Sequence, residues 1–249
     1  MKRLSILGRA IDVDLGVASD AATLRDLWAP ARAASEAITS AVREAEAARG
    51  VTPSCREGCA ACCTHLVPIS TLEAARLADA VAALPARERD ATRARFTEAV
   101  RRLERAGLLD AKAPKGRAAL TVAIEAGESA WDAVSARYRA LGLACPLLVH
   151  RRCSLYDERP LVCREYLVAT APERCAGDGT EVVALPRPAR MSEVLADATA
   201  AITGEAITSI PLVLALEWSA QHAASLDVSV DARAASGALG DALDAQEDP

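Results

Sequence analysis

Eight thiols dominate the chemistry open to this chain, and they fall into two groups. Cys55, Cys59, Cys62 and Cys63 lie within CREGCAACC, and Cys145, Cys153, Cys163 and Cys175 follow after a long cysteine-free stretch. Three uses of cysteine compete for such a pattern. Burial as small hydrophobes accounts poorly for eight cysteines confined to two short segments of a 249-residue chain. A disulfide framework belongs to short secreted domains, and the adjacent pair Cys62-Cys63 fits it badly. Metal coordination suits both the number and the spacing. Thiolates a few residues apart in a loop can converge on one centre, and a second segment can complete the sphere. Zinc takes four tetrahedral ligands, so eight cysteines could serve two sites; an iron–sulfur cluster also takes about four.

Cys62 and Cys63 constrain that geometry. Neighbouring side chains diverge, so one ion cannot easily take both; they serve different ions, different irons of a cluster, or one is a spare thiol. A site fed by both groups would staple the two ends of the intervening helices, so losing the metal should loosen the fold. His65, just past Cys63, and His150, between Cys145 and Cys153, are possible extra ligands. His222 lies outside the pattern. Cys145-Pro146 has the Cys-Pro form of bacterial ferredoxins, a weak pointer to iron–sulfur chemistry.

CREGCAACC, an apolar stretch with a helix carrying Glu73, and then CPLLVHRRCSLYDERPLVCREYLV together resemble the YkgJ-type cysteine-cluster family. The second block of that family reads CPxL, CxIY and RPxxCRxY. This chain supplies Cys145-Pro146-Leu147-Leu148, Cys153-Ser154-Leu155-Tyr156 and Arg159-Pro160-Leu161-Val162-Cys163-Arg164-Glu165-Tyr166. Leu155 stands where isoleucine is common, and three residues separate Cys55 from Cys59 where the family often has two. The resemblance covers about 55–75 and 145–175. It implies a zinc or iron site built from all eight cysteines and brings no general activity. Flagellin lysine N-methylase is a related cysteine-cluster protein, so an iron–sulfur-dependent redox or protein-modifying enzyme is one alternative; a structural-zinc interaction module is another. The chain shows no glycine-rich strand–turn–helix of a conventional nucleotide or methyl-donor site. Beside Cys163, Arg159 and Arg164 could offset thiolate charge and donate hydrogen bonds to sulfur, while Tyr156 and Tyr166 could limit solvent access. The plainer reading pairs both arginines with Asp157, Glu158 or Glu165 at the surface. Glu73 reads as a helix cap rather than a ligand.

The elements that must position these residues read as helices. Apolar residues recur at steps of three and four over 20–49, with a kink or restart at Pro30 and a stop at Gly50. Ser70 and Glu73 have capping-box spacing and open a helix that Pro85 breaks; another runs from 86 to 106. DAKAPKG (110–116) is a loop, and a helix follows over about 117–141 with Ala119, Val122, Ile124, Trp131, Val134 and Tyr138 mostly inward. Within 145–175 only a short helix near Arg159-Pro160 is expected. AGDG (176–179) is a turn, two helices follow over about 191–203 and 210–225, and the tail weakens beyond Leu226. The expected fold is all-α: an irregular helical bundle in which two cysteine-rich loop segments converge on a metal site. Its parts are a helical segment 1–54, a cysteine-cluster domain 55–175 with a helical insert at about 71–141, C-terminal helices 176–226 on the same body, and a flexible tail 227–249.

Composition agrees with that reading. Half the residues are apolar but only 3% are aromatic, a mixture that favours packed helices over a β-sandwich. A net charge of −5 creates no field for nucleic acid or an anionic membrane, so neither is an expected partner; metal ions are. The basic start MKRLSILGRAIDVDLGV faintly suggests a signal peptide, but Arg9, Asp12 and Asp14 interrupt its apolar run. ITSIPLVLALEW (207–218) is too short to span a bilayer. The expectation is a soluble, cytoplasmic protein whose thiols stay reduced.

Overall fold

The computed structural model describes residues 1–18, 21–127, 131–176 and 181–247. It opens with a β-hairpin, β1 (Lys2–Ile6) and β2 (Arg9–Val13), turned at Leu7 and Gly8, which both take positive φ. The expected helical segment 1–54 is therefore helical only in its second part. Leu4, Ile6 and Val13 point into the core while Arg3 and Asp12 pair on the outer face. Asp12, one of the charges that interrupt the apolar run, belongs to the outward half of a strand alternation; Arg9 stands at the turn end of β2 opposite Ile6 and pairs with Glu44.

A capping box of Thr23 and Asp26 leads through a 3₁₀ turn into α1 (Trp28–Ala48). Pro30 sits in the first turn, where its missing N–H costs nothing, and the helix is not restarted there. The first cysteine segment follows as a run of turns and ends in β3 (Pro68–Ser70), α2 (Thr71–Ala82) and α3 (Ala86–Arg105). The single helix expected over 117–141 is two, α4 (Thr121–Ala126) and α5 (Trp131–Ala140). Gly127, at φ +71°, ends α4, and Ile124 faces outward at 70% exposure. The loop before α4 requires glycine at position 116: φ is +88°, and a Cβ there would meet Gln221 and His222 at 2.8 Å.

The second cysteine segment carries β4 (Leu148–Val149), β5 (Arg152–Cys153), α6 (Leu161–Glu165) and α7 (Pro172–Cys175). The turn expected at 176–179 lies almost wholly outside the described residues. After it come α8 (Met191–Thr203), ended by Gly204 in the left-handed conformation, β6 (Ser209–Pro211) and α9 (Ala215–His222). The helix expected from 210 starts later because 209–211 pair with β3 in register Ile69↔Ile210. The expected flexible tail holds instead a sixteen-residue helix, α10 (Ala232–Glu247), which lies along α8 with Ala235, Leu239 and Leu243 fully buried.

The fold is mostly helical, with three two-stranded sheets among the described residues. No helix there is long and apolar enough to cross a membrane. Short α6 is wedged between α1, α8 and β3, and that placement positions the second cysteine segment.

Candidate metal centre

The first cysteine segment is anchored at its start: Ser54 N–H donates to the Val168 carbonyl at 2.8 Å and its hydroxyl to Thr170 at 2.6 Å. The segment then folds back through successive turns, Cys59 N–H to Arg56 O, Cys63 N–H to Ala60 O and His65 N–H to Cys62 O. These turns present side chains on several sides of a compact loop, which is how four thiols fit into nine residues. Gly58 supplies the left-handed residue between Cys55 and Cys59 (φ +83°).

The second segment is brought alongside by a backbone hydrogen bond, Cys145 N–H to Cys63 O at 2.6 Å. From there the β4–β5 hairpin turns at His150 and Arg151, both at positive φ, and pairs Cys153 opposite Leu148. The hairpin returns Cys153 toward Cys145 and throws His150 outward, where it is exposed. His150 does not line the cavity described below. Its position midway between two cysteines places it at the turn rather than with the thiols.

Cys163 rides on α6, whose first amide is capped from a distance. Leu161 N–H donates to Glu73 Oε1 at 2.8 Å. The other carboxylate oxygen of Glu73 accepts from Ser70 N–H and Ser70 Oγ, each at 2.8 Å, and from the Ser192 hydroxyl. Glu73 is thus the cap of α2, and it also ties α2 to α6 and α8. Burial pushes its carboxyl pKa up, against these hydrogen bonds. At the other end of α6, buried Glu165 accepts from Ser35 Oγ of α1 at 2.7 Å and from Met191 N–H of α8 at 3.3 Å. Its pKa is pushed up to about 7, mainly by burial.

Seven of the eight cysteines (all but Cys175) line one cavity of about 750 Å³. Cys175, at the end of α7, is buried and does not line it. Burial pushes the thiols of Cys55, Cys145, Cys153, Cys163 and Cys175 up, Cys145 to about 12; at Cys62 the hydrogen bond with Cys63 is the larger cause, followed by burial. Mutual repulsion sorts them further. Cys163 is raised by charge on Cys145, Cys62 and Cys153, whereas Cys175 is raised by charge on Cys62, Cys55 and Cys59. Cys62 is common to both neighbourhoods, and Cys63 is its hydrogen-bond partner. Among the described residues no group of three or more His, Cys, Asp or Glu side chains stands close enough to hold a metal ion without moving.

The donor chemistry fits zinc or iron: thiolate sulfur and imidazole suit these cations better than magnesium or calcium. His65 supports the fit. It lines the cavity, its Nε2 is buried with no hydrogen-bond partner, and burial lowers its pKa toward the neutral, ligating form. Tyr156, Arg159 and Tyr166 also line the cavity; Arg164 does not. Arg164 bonds the carbonyls of Arg159 and Asp157 and reaches Glu36 at 3.5 Å, bracing the loop before α6. Arg159 has no acidic partner among the described residues and lies over the Tyr156 ring at 3.9 Å. Neither arginine pairs with Glu158, which accepts from Arg76 and faces Arg32. Sequence reasoning missed Arg43 of α1 and Arg187 before α8, which also line the cavity. Single basic residues far from any cysteine give no signal in sequence.

The architecture is that of a helical protein with a cysteine-lined cavity between two anchored loops. The chain matches, over residues 54–182, the family model described as “CxxCxxCC: Putative zinc- or iron-chelating domain”, and it belongs to that family. No curated protein and no solved structure matches it.

Proposed function

We propose that this protein binds zinc or iron through all eight cysteines, arranged as two four-thiol sets, with seven thiols from the cavity lining and Cys175 from outside it. Cys145, Cys153 and Cys163 belong to one set, Cys55, Cys59 and Cys175 to the other, and Cys62 and Cys63 supply one thiol to each. The observation that carries the reading is the Cys145–Cys63 backbone hydrogen bond, which holds the two segments together at the adjacent pair. Adjacent side chains that cannot reach one ion can reach two. For the thiols to converge the side chains must rotate and the segments close, movement that falls mainly on the first segment, which is made of turns. A cation offsets the cost of ionising buried thiols, so metal binding releases protons and tightens the loops together. His65 Nε2 is a further donor beside the set that holds Cys55, Cys59 and Cys175, and Arg159 balances thiolate charge.

Metal and acid-labile sulfide content, with an absorption spectrum, tests this on protein purified without air or a metal-affinity tag. The expected result is about two zinc ions per chain, or iron with sulfide and absorption near roughly 400 nm. Cys59→Ser and Cys153→Ser should each lower the metal content by about half, being in different sets. Unchanged metal in both variants would refute the assignment. Iron with sulfide would favour the second reading, an iron–sulfur-dependent modifying or redox enzyme, which draws its support from a cavity far larger than two ions require. Zinc alone would favour a structural role.

A further inference from the structure

The cavity is too large for metal alone. An ion takes up about the share of one water, roughly 30 Å³, against about 750 Å³ here, a volume in the range that holds small-molecule ligands. Its charged lining is also uneven. Arg43, half-buried on α1, has no acidic partner among the described residues, and neither does Arg159 or Arg187. The lining acids are largely committed elsewhere: Glu165 to Ser35 and Met191 N–H, Glu193 to Arg190. Only Asp197 remains without a partner among the described residues.

Two of the arginines are held in a particular way. Arg159 lies over the Tyr156 ring at 3.9 Å and Arg187 over the Tyr166 ring at 5.7 Å. A guanidinium over an aromatic face is held there by the ring while its N–H groups at the edge can still donate, at 3.9 Å closely for Arg159 and at 5.7 Å more loosely for Arg187. Arg159 Nε is buried and has no acceptor, a donor that costs free energy until something accepts from it. Thiolates account for part of this charge, since Arg159 acts on Cys62 and Cys153 and Arg43 on Cys55. Arg187 acts instead on Glu165 and Tyr166.

We propose that the cavity binds a small organic anion, bearing a carboxylate or phosphate, between the Arg159–Tyr156 and Arg187–Tyr166 pairs and beside the cysteines. The two oxyanions share the chemistry that a guanidinium fork recognises: paired acceptor oxygens at hydrogen-bonding distance. This inference rests on the metal-binding reading only for what lies next to the anion; the arginine pairs are present in the fold itself.

The test is calorimetric titration of the full chain with succinate and, separately, with inorganic phosphate, metal content being measured on the same preparations. Saturable binding of either probe is expected, weakened at least tenfold by Arg187→Gln or by Arg159→Gln and unchanged by Arg101→Gln on the outer side of α3. The probe that binds more tightly identifies the oxyanion. Arg187→Gln should keep its metal, so it carries the comparison if Arg159→Gln loses metal. No saturable binding of either probe, binding indifferent to both cavity variants, or equal weakening by Arg101→Gln overturns the proposal. Metal without anion binding defeats this inference alone, and anion binding without metal defeats the metal reading alone.

Discussion

Replacing Glu73 should damage the fold and the cysteine site together. Glu73 is 1% exposed and accepts four hydrogen bonds: two from Ser70, one from Leu161 N–H at the start of α6 and one from Ser192 of α8. In Glu73→Ala the Ser70 and Leu161 amides lose their acceptor in a region closed to water, and a buried donor left unpaired costs about 1–3 kcal/mol. The two hydroxyls can turn elsewhere, and removing a carboxyl that burial has already destabilised returns something. The net cost is therefore about 2–5 kcal/mol, a large share of the roughly 5–15 kcal/mol that holds a domain folded. At about 2–4 °C per kcal/mol for a chain of this size, the midpoint should fall by about 10 °C. Glu73→Gln keeps an oxygen for Leu161 N–H but turns its amide toward Ser70 N–H, so it should cost about half as much. Cys163 lies two residues beyond Leu161, so bound metal should drop in Glu73→Ala more than in Glu73→Gln. Thermal unfolding and metal analysis of both variants decide the matter. A Glu73→Ala midpoint within about 2 °C of the parent, which is less than 1 kcal/mol here, together with full metal content, would show that the buried carboxyl is not the tie between α2, α6 and α8.

Two further outcomes test parts of the fold away from the cysteines. Arg117, 7% exposed, bridges Glu217 of α9 at 2.9 Å and Glu104 of α3 at 3.2 Å. Burial alone would raise the Glu217 pKa, but the hydrogen bond and charge of Arg117 outweigh it and hold the carboxyl below its usual range. The pair's stabilisation is thus present above the unfolded-state pKa and lost as pH falls through the folded one. Urea midpoints from neutral to acid pH should fall more steeply in the parent than in Glu217→Gln, and parallel curves would refute the link. Leu239 of α10 is fully buried on α8, so Leu239→Ala should cost about 2–5 kcal/mol; a change under about 0.5 kcal/mol by urea unfolding would mean that the C-terminal helix does not dock.

The capping box at Ser70 and Glu73 was legible because its signal is local: a fixed spacing before an apolar run. Its reach to Leu161 and Ser192 was not, since those partners lie 88 and 119 residues away. The hairpin at the start was hidden for another reason. In KRLSI and RAIDV, Arg3 and Asp12 look like interruptions of an apolar stretch until the run is read with a period of two, and Lys2 and Arg9 at the strand ends blur that period. In α10, Ala235, Leu239 and Leu243 keep a four-residue step, but Gly237 and Gly240 and the weak flanks dilute it. At the site, the cysteines announced themselves by number. His150 misled because closeness along the chain is undone by a tight turn, while Arg43 and Arg187 were invisible because only the fold brings them to the cavity.

The relation between metal and fold differs from that of a small zinc domain. A classical zinc finger has almost no core, and without its ion it is unfolded. Here the frame around the cysteines is fixed by groups that are not ligands: Ser54 to Val168, Cys145 N–H to Cys63 O, Glu73 to α6 and Glu165 to α1 and α8. The β3–β6 pair ties the exit of the first segment to the stretch between α8 and α9. Beneath them lies a continuous core from the N-terminal hairpin to α10. Such a frame holds the two segments together before any ion binds, so much of the ordering that metal drives in a zinc finger is already done. Metal binding then has less chain to order, and its free energy goes into drawing turns together rather than creating a fold. Removing metal from this protein should loosen the two cysteine segments and leave the helical body standing. This narrows the expectation, drawn from a site fed by both cysteine groups, that metal loss would loosen the fold.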